Sequence, residues 1–290
     1  EEYSSEQVSP REGNPPDDGD NGHDDESALD SDAGSSTASI TSSIMQYREI
    51  HGRRLHIETG TAQCCDFADE YPDAQVIGTD ISPIQPTWVP PNLQFEVEDC
   101  TQEWKFRSGD FDYVHMRWLV GSIQDWNALM QKAYRVLRPG GYIESLETSA
   151  IMSSDDGTVT ETCAMGQWGK LFVSGGKKIG RPFTVVEDGT QRKSMEAAGF
   201  VDVEEFNFKM PIGGWAEDPR AKELGHFAQI VLERDVEGYT LFMANTLGWM
   251  KDEILAYIGT LRRDLRSGNF HAYYNQKVVW ARKPLDGQKT

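Results

Sequence analysis

Asp80 ends a run, Ala74-Gln75-Val76-Ile77-Gly78-Thr79, that reads as a buried parallel strand. It follows by about 20 residues a stretch that keeps one turn glycine, Gly60. An acidic residue so placed in a nucleotide-binding α/β domain accepts hydrogen bonds from both ribose hydroxyls and fixes the cofactor's register. The same spacing also suits an ordinary loop aspartate. Cys64, Cys65, Cys100 and Cys163 show neither metal-ligand spacing nor a disulfide framework, and the adjacent pair reads as free thiols on a helix. No metal-ligand set is visible.

The elements that must position Asp80 alternate between strand and helix, which implies a parallel sheet covered on both faces. Leu55-His56-Ile57 is the end of a short first strand, and Cys64 to Glu70 a short helix after it. Gln75–Thr79, Leu93–Val97 and Phe111–Met116 are the next three strands. The clearest helix spans Asp125 to Leu137, with Trp126, Leu129, Met130, Ala133, Tyr134 and Leu137 on one face. Asp125 is its N-cap, and Arg138-Pro139-Gly140-Gly141 stops it. Tyr142–Leu146 is the fifth strand, Gln191–Ala198 a helix ended by Gly199, Val201–Phe208 the sixth strand and Val278–Ala281 the seventh. A helical insertion, about residues 219–267, precedes that last strand. Its stripe of Ile254, Leu255, Ile258, Leu261 and Leu265 reads as core, while so large an insertion often covers a binding cleft.

Charge separates the chain into two parts. Residues 1–32 hold twelve acidic residues and one arginine, a local charge of −11 within a total of −19. With few large apolar residues this stretch cannot offset its ordering entropy, so residues 1–44 read as a disordered, Ser-rich acidic tail before a domain at 45–290. The acidic balance argues against nucleic acid. No stretch is apolar and long enough to cross a bilayer, no secretory segment is visible, and a cytoplasmic or nuclear location is expected.

Several segments together carry a likeness: Phe67–Pro72, Val76–Pro86 with its Asp80-Ile81-Ser82-Pro83-Ile84-Gln85-Pro86, Trp88–Leu93, Phe111–Arg117 and Tyr134–Tyr142. Further likeness covers Ser36–Gly52, Asp218–Leu224, His271–Tyr274 and Arg282–Pro284. The chain resembles the fungal LaeA-like (velvet-associated) class I S-adenosylmethionine-dependent methyltransferases. The Asp-Ile-Ser-Pro-Ile-Gln-Pro run with Trp88-Val89-Pro90-Pro91-Asn92-Leu93 is the specific part; a Pro-Gly-Gly after a helix is common to many methyltransferases.

The resemblance implies a doubly wound, Rossmann-like sheet of seven mostly parallel strands, the last antiparallel. It also implies S-adenosyl-L-methionine across the carboxyl ends of the first strands. By position Asp80 would bind the ribose and Ile81 would pack on the adenine. Asp99 and Cys100 would line the adenine end. His115, Met116 and Arg117 would sit near the transferred methyl or the acceptor, with His115 as base and Glu144 and Glu147 behind it. Each has a plainer alternative: Asp99 capping the next turn, His115 as a satisfied half-buried histidine, Arg117 paired with Asp112 or Asp125.

The first motif departs from the family. Either Thr59-Gly60-Thr61 is kept with His56 in place of the family's acid, or Glu58 is that acid and Gly60 the first glycine. Glu58, Gly60 and Thr61 are the expected contacts for the methionine end. Lost glycines remove positive-φ freedom and crowd the cofactor. Several dozen residues that the family carries before the first strand are nearly missing here, which points to a truncated or mis-spliced form or a degenerate paralogue.

Two functions remain open: methyl transfer to a small molecule or a regulatory target, and a non-catalytic regulatory protein that pairs with a velvet-type partner. A nicotinamide-dependent oxidoreductase is disfavoured by the lack of a G-x-G-x-x-G turn. Trp215, Trp249, Tyr273 and Tyr274 suggest a roofed acceptor pocket or plain core.

Overall fold

Buried and exposed positions alternate along residues 137–153, and this long strand organises the domain. The computed structural model describes residues 49–50, 53–54, 61–83 and 88–287, all within one compact unit, Ser43–Thr290. The expected tail, residues 1–44, and the expected first strand, Leu55-His56-Ile57, lie outside the described residues.

Strands β1 (Glu49–Ile50) and β2 (Arg53–Arg54) make a short antiparallel pair. Helix α1 (Thr61–Glu70) leads into β3 (Val76–Asp80), which pairs in parallel with β4 (Leu93–Val97). Asn92 ties these elements: its amide nitrogen lies 3.0, 3.1 and 3.0 Å from the carbonyl oxygens of Ala68, Tyr71 and Ala74.

A second sheet has the order β5-β6-β8-β7, with β5 at Phe111–Arg117, β6 at Leu137–Ser153, β7 at Val201–Pro211 and β8 at Tyr273–Arg282. β5 and β6 run parallel, and β8 runs antiparallel to both of its neighbours. Two parallel pairs, β5 and β6 joined through a helix, with an antiparallel last strand inserted, make a Rossmann-like α/β fold. Among the described residues there are six strands of five residues or more, and the expected first of the seven lies outside them.

Helix α2 (Trp126–Val136) forms as its apolar spacing demands. Its Trp126, Leu129, Met130, Ala133 and Val136 are buried. Asp125 caps it, accepting from the Ala128 amide at 2.9 Å, a cap worth about 1 kcal/mol. With α4 (Thr190–Ala198), this helix covers one sheet face through a cluster including Met116, Ile143, Met195, Val279 and Ala281.

The helix ends at Val136, just before Arg138-Pro139-Gly140-Gly141 as expected, but the fifth strand's bounds need correction: β6 begins at Leu137, the C-cap residue of α2, rather than at Tyr142. β6 also runs on to Ser153 rather than ending at Leu146, since β8 pairs with it as far as Ser153–Tyr273.

Helix α3 (Ala164–Ile179) was not anticipated. Its glycines lower local propensity, but they allow close packing: a Cβ on Gly175 would come 2.6 Å from Met243 Sδ. The insertion resolves into α5 (Pro219–Arg234), α6 (Val236–Leu247) and α7 (Lys251–Arg266). α3, α6 and α7 share a second core with Met152, Ile212 and Ala272. Within the expected stripe of α7, Leu255 is exposed and Tyr257 is buried instead. No described helix is long and apolar enough to cross a membrane.

Candidate functional site

The ends of β3 and β4 bring together the residues expected on the adenosine side. Asp80 closes β3 opposite Val97, and its carbonyl accepts from the Glu98 amide at 3.0 Å. Its Oδ1 accepts from the Ser82 amide at 2.7 Å, which turns the chain away from the sheet. Ile81 and Val97 stay 39% and 42% exposed, two apolar side chains beside a carboxylate. Burial pushes the Cys100 thiol up to about 11, Asp99 adding to that and Lys132 opposing it; Asp80 contributes too, so the three predicted residues share one environment.

Asp99 fulfils its plainer alternative. Its Oδ1 accepts from the Thr101 amide at 2.9 Å and from the Thr101 hydroxyl at 2.7 Å. The turn it caps is pinned to α2. Lys132 Nζ donates to the carbonyls of Thr101 and Gln102 at 2.5 and 2.7 Å, and Arg135 to those of Phe106 and Trp104 at 2.7 and 2.8 Å. Sequence reading missed both cations. Their only signal is a polar position on a helix whose other face is core.

The carboxyl end of β5 carries the second group. Alternation puts Tyr113, His115 and Arg117 on the face opposite Val114 and Met116. Met116 therefore does not join the site with its side chain; it is 6% exposed, within the α2–α4 core. His115 pairs across the ladder with Glu144, Nδ1 to Oε1 at 3.1 Å. The Tyr113 hydroxyl is 3.4 Å from the same ring nitrogen. The hydrogen bond from His115 holds the Glu144 carboxyl below its ordinary range. His115 Nε2 is buried without a hydrogen-bond partner among the described residues. Such an atom costs about 1–3 kcal/mol unless something meets it.

Arg117 takes neither suggested acid. Asp112 binds Arg138 at 2.6 Å, and Asp125 caps α2. The Arg117 guanidinium instead lies 4.2 Å over the Trp118 ring, and burial lowers its pKa. Trp118 has φ +53°, a left-handed conformation rare for a bulky side chain, and such strain clusters at functional sites. Glu147 holds the strained turn: its two oxygens accept from the amides of Leu119 and Val120 at 3.1 and 2.9 Å. Fully buried, it is a positioning residue rather than a base facing an acceptor, and burial pushes its pKa up to about 8.

Glu58 and Gly60 lie outside the described residues. Thr61 opens α1, and its side chain is not described. Trp215 donates to the Ala272 carbonyl at 2.9 Å and stacks on His271, while Trp249 packs edge-on against Tyr257; both serve packing. No cluster of three metal-ligating side chains exists among the described residues, whose four cysteines are all free.

A family model described as a methyltransferase domain matches residues 31–205. The chain belongs to the methyltransferase-domain family. It is 34% identical over 233 residues to the methyltransferase pytC of Aspergillus terreus, covering 79% of this chain and 71% of that one. It is 31% identical over 240 residues to the secondary metabolism regulator LAE1 of Cochliobolus heterostrophus, covering 81% and 78%. The resemblance to LaeA-like class I methyltransferases is thereby borne out. Among solved structures, phosphoethanolamine N-methyltransferase 2 of Haemonchus contortus with S-adenosyl-L-methionine matches at a TM-score of 0.43 and 22% identity. That match covers 75% of this methyltransferase-family chain and under half, 45%, of the other.

Methyltransferases of this class take their methyl group from S-adenosylmethionine. The residues expected at the adenosine side are compatible with it: Asp80 and Asp99 both act on Cys100, and Ile81 and Val97 stay exposed. His115, expected at the chemical end, has its Nε2 buried without a hydrogen-bond partner among the described residues.

Proposed function

We propose that this methyltransferase of secondary metabolism acts on a small organic acceptor above the carboxyl ends of β5 and β6, with His115 as general base. When bound, the cofactor supplies a methyl group already activated on a sulfonium, so the protein must mainly position an acceptor and manage one proton. Asp80 would hold the ribose hydroxyls, Ile81 would cover the adenine, and Asp99 and Cys100 would close its edge. Glu58, Gly60 and Thr61 would meet the methionine end. Arg117, stacked on Trp118, would orient the acceptor.

The observation that carries the reading is the His115–Glu144 pair. Glu144 accepts the Nδ1 proton, which leaves the Nε2 lone pair as the basic site. That nitrogen would receive the proton of an acceptor hydroxyl or amine. Held to one tautomer and kept from bulk water, the imidazole needs little reorganisation.

The regulatory reading draws support from the regulator names of several relatives and from the altered glycine turn. It would place a velvet-type protein against a domain that binds cofactor poorly. Calorimetric titration with S-adenosylhomocysteine separates the two. The enzyme reading expects micromolar binding; a dissociation constant beyond ~1 mM, about 4 kcal/mol, overturns it.

A further inference from the structure

Helix α5 is turned inside out. Its outward face carries Leu224, Phe227, Ile230 and Val231, which are 43%, 60%, 51% and 51% exposed. Its one buried residue is Gly225, where an added Cβ would come 2.1 Å from the Gly213 carbonyl oxygen. Leu232 packs against the neighbouring core, and polar bonds hold the rest of the inward side. Gln229 donates to the Leu265 carbonyl at 2.9 Å, and Arg266 binds Glu233 at 2.8 Å. An amphipathic helix normally buries its apolar stripe, and a contiguous apolar patch on a soluble surface marks an interaction site.

We propose that this face pairs with α5 of a second copy of the chain, antiparallel about a two-fold axis. The charges along the stripe choose the partner and the register. Arg220 and Glu223 stand at one end and Arg234 at the other. With the axis at Phe227, Arg220 would face Arg234 of the other copy, which is repulsive. Moving the axis to between Ala228 and Gln229 sets Glu223 level with Arg234 of the other copy, twice over by symmetry. It also sets Phe227 against Ile230. A two-fold interface must be self-complementary in this way. The location suits self-association for a second reason. The chain carries −19 overall, yet along this stripe Arg220 and Arg234 outnumber the one acid, Glu223, so the face does not add to repulsion between copies. A hollow of about 430 Å³ lined by Lys222, Glu223, His226, Phe227 and Ile230 runs along the stripe, and in this register the opposing Ile230 and Val231 lie level with Phe227 and His226.

One helix face falls short of the roughly 800 Å² per partner of a standard interface, so the pair is a weak, concentration-dependent dimer. Sedimentation velocity on the whole chain tests it. The wild type is expected to shift from monomer to dimer across about 10–500 µM, the range of weak protein pairs. Phe227→Glu, exposed and therefore harmless to the fold by circular dichroism, should stay monomeric throughout. Glu223→Arg and Arg234→Glu should each weaken association by about tenfold, and the double exchange should restore it to within about threefold, as charge-pair cycles do. A wild type monomeric at every concentration, a dimer that survives Phe227→Glu, or a double exchange as weak as the single variants each overturns the proposal. None of these outcomes bears on methyl transfer.

Discussion

Nδ1 of His115 lies 3.1 Å from Oε1 of Glu144, on parallel neighbours β5 and β6 whose register sets the two residues opposite each other. The pair has its second ring nitrogen buried and unpartnered among the described residues. A histidine oriented by a carboxylate, with one nitrogen left for a ligand, is the arrangement of a general base.

Replacing His115 by Asn should lower the turnover of methyl transfer by about 10²–10⁴-fold while cofactor affinity stays within about threefold. Turnover with radiolabelled cofactor and calorimetry with S-adenosylhomocysteine give the two numbers. Turnover within threefold of wild type removes the base assignment.

Asp80→Ala should weaken S-adenosylhomocysteine by about 10–100-fold, the loss of hydrogen bonds to a charged group. Because Asp80 also takes the Ser82 amide at 2.7 Å, the variant should melt slightly lower. Unchanged affinity in calorimetry would separate Asp80 from the ribose.

Lys132→Met should release the turn after β4, whose Thr101 and Gln102 carbonyls it holds at 2.5 and 2.7 Å. The expected cost is about 1–3 kcal/mol in urea unfolding, with faster amide exchange at residues 99–104. Exchange rates equal to wild type there would show that Arg135 suffices.

Glu147 makes stability depend on pH. Its folded pKa, about 8, stands above the ordinary carboxyl value of 4.5 because the group is buried. The folded chain then binds the proton more tightly than the unfolded one. This contribution is fully present below about pH 4.5 and is lost as pH rises through 8. Thermal melts between pH 5 and pH 9 should fall for the wild type, and less steeply for Glu147→Gln. Equal slopes would mean the carboxyl is ionised throughout.

Much of the fold was legible because periodicity survives in single segments. Trp126, Leu129, Met130 and Ala133 announced α2, and the alternation of Leu93–Val97 announced β4, since each pattern is set by which face meets the core. α3 was illegible because Gly169, Gly175 and Gly176 read as breaks until Ile151, Met243 and Phe183 are seen packed against them in turn. Gly225 hid in the same way the close approach that turns the apolar side of α5 outward.

The candidate site divides similarly. Local chain order by itself determined the acid at the end of β3, the histidine in β5 and the membership of the family, because motif residues sit next to one another along the chain. Pairing between distant strands decided the rest. Register joined His115 to Glu144, pleat direction sent Met116 into the core, and the buried Glu147 clamped the left-handed turn at Trp118. Those outcomes depend on hydrogen-bond ladders and burial between segments about 30 residues apart, and side-chain period within one segment carries no information about them.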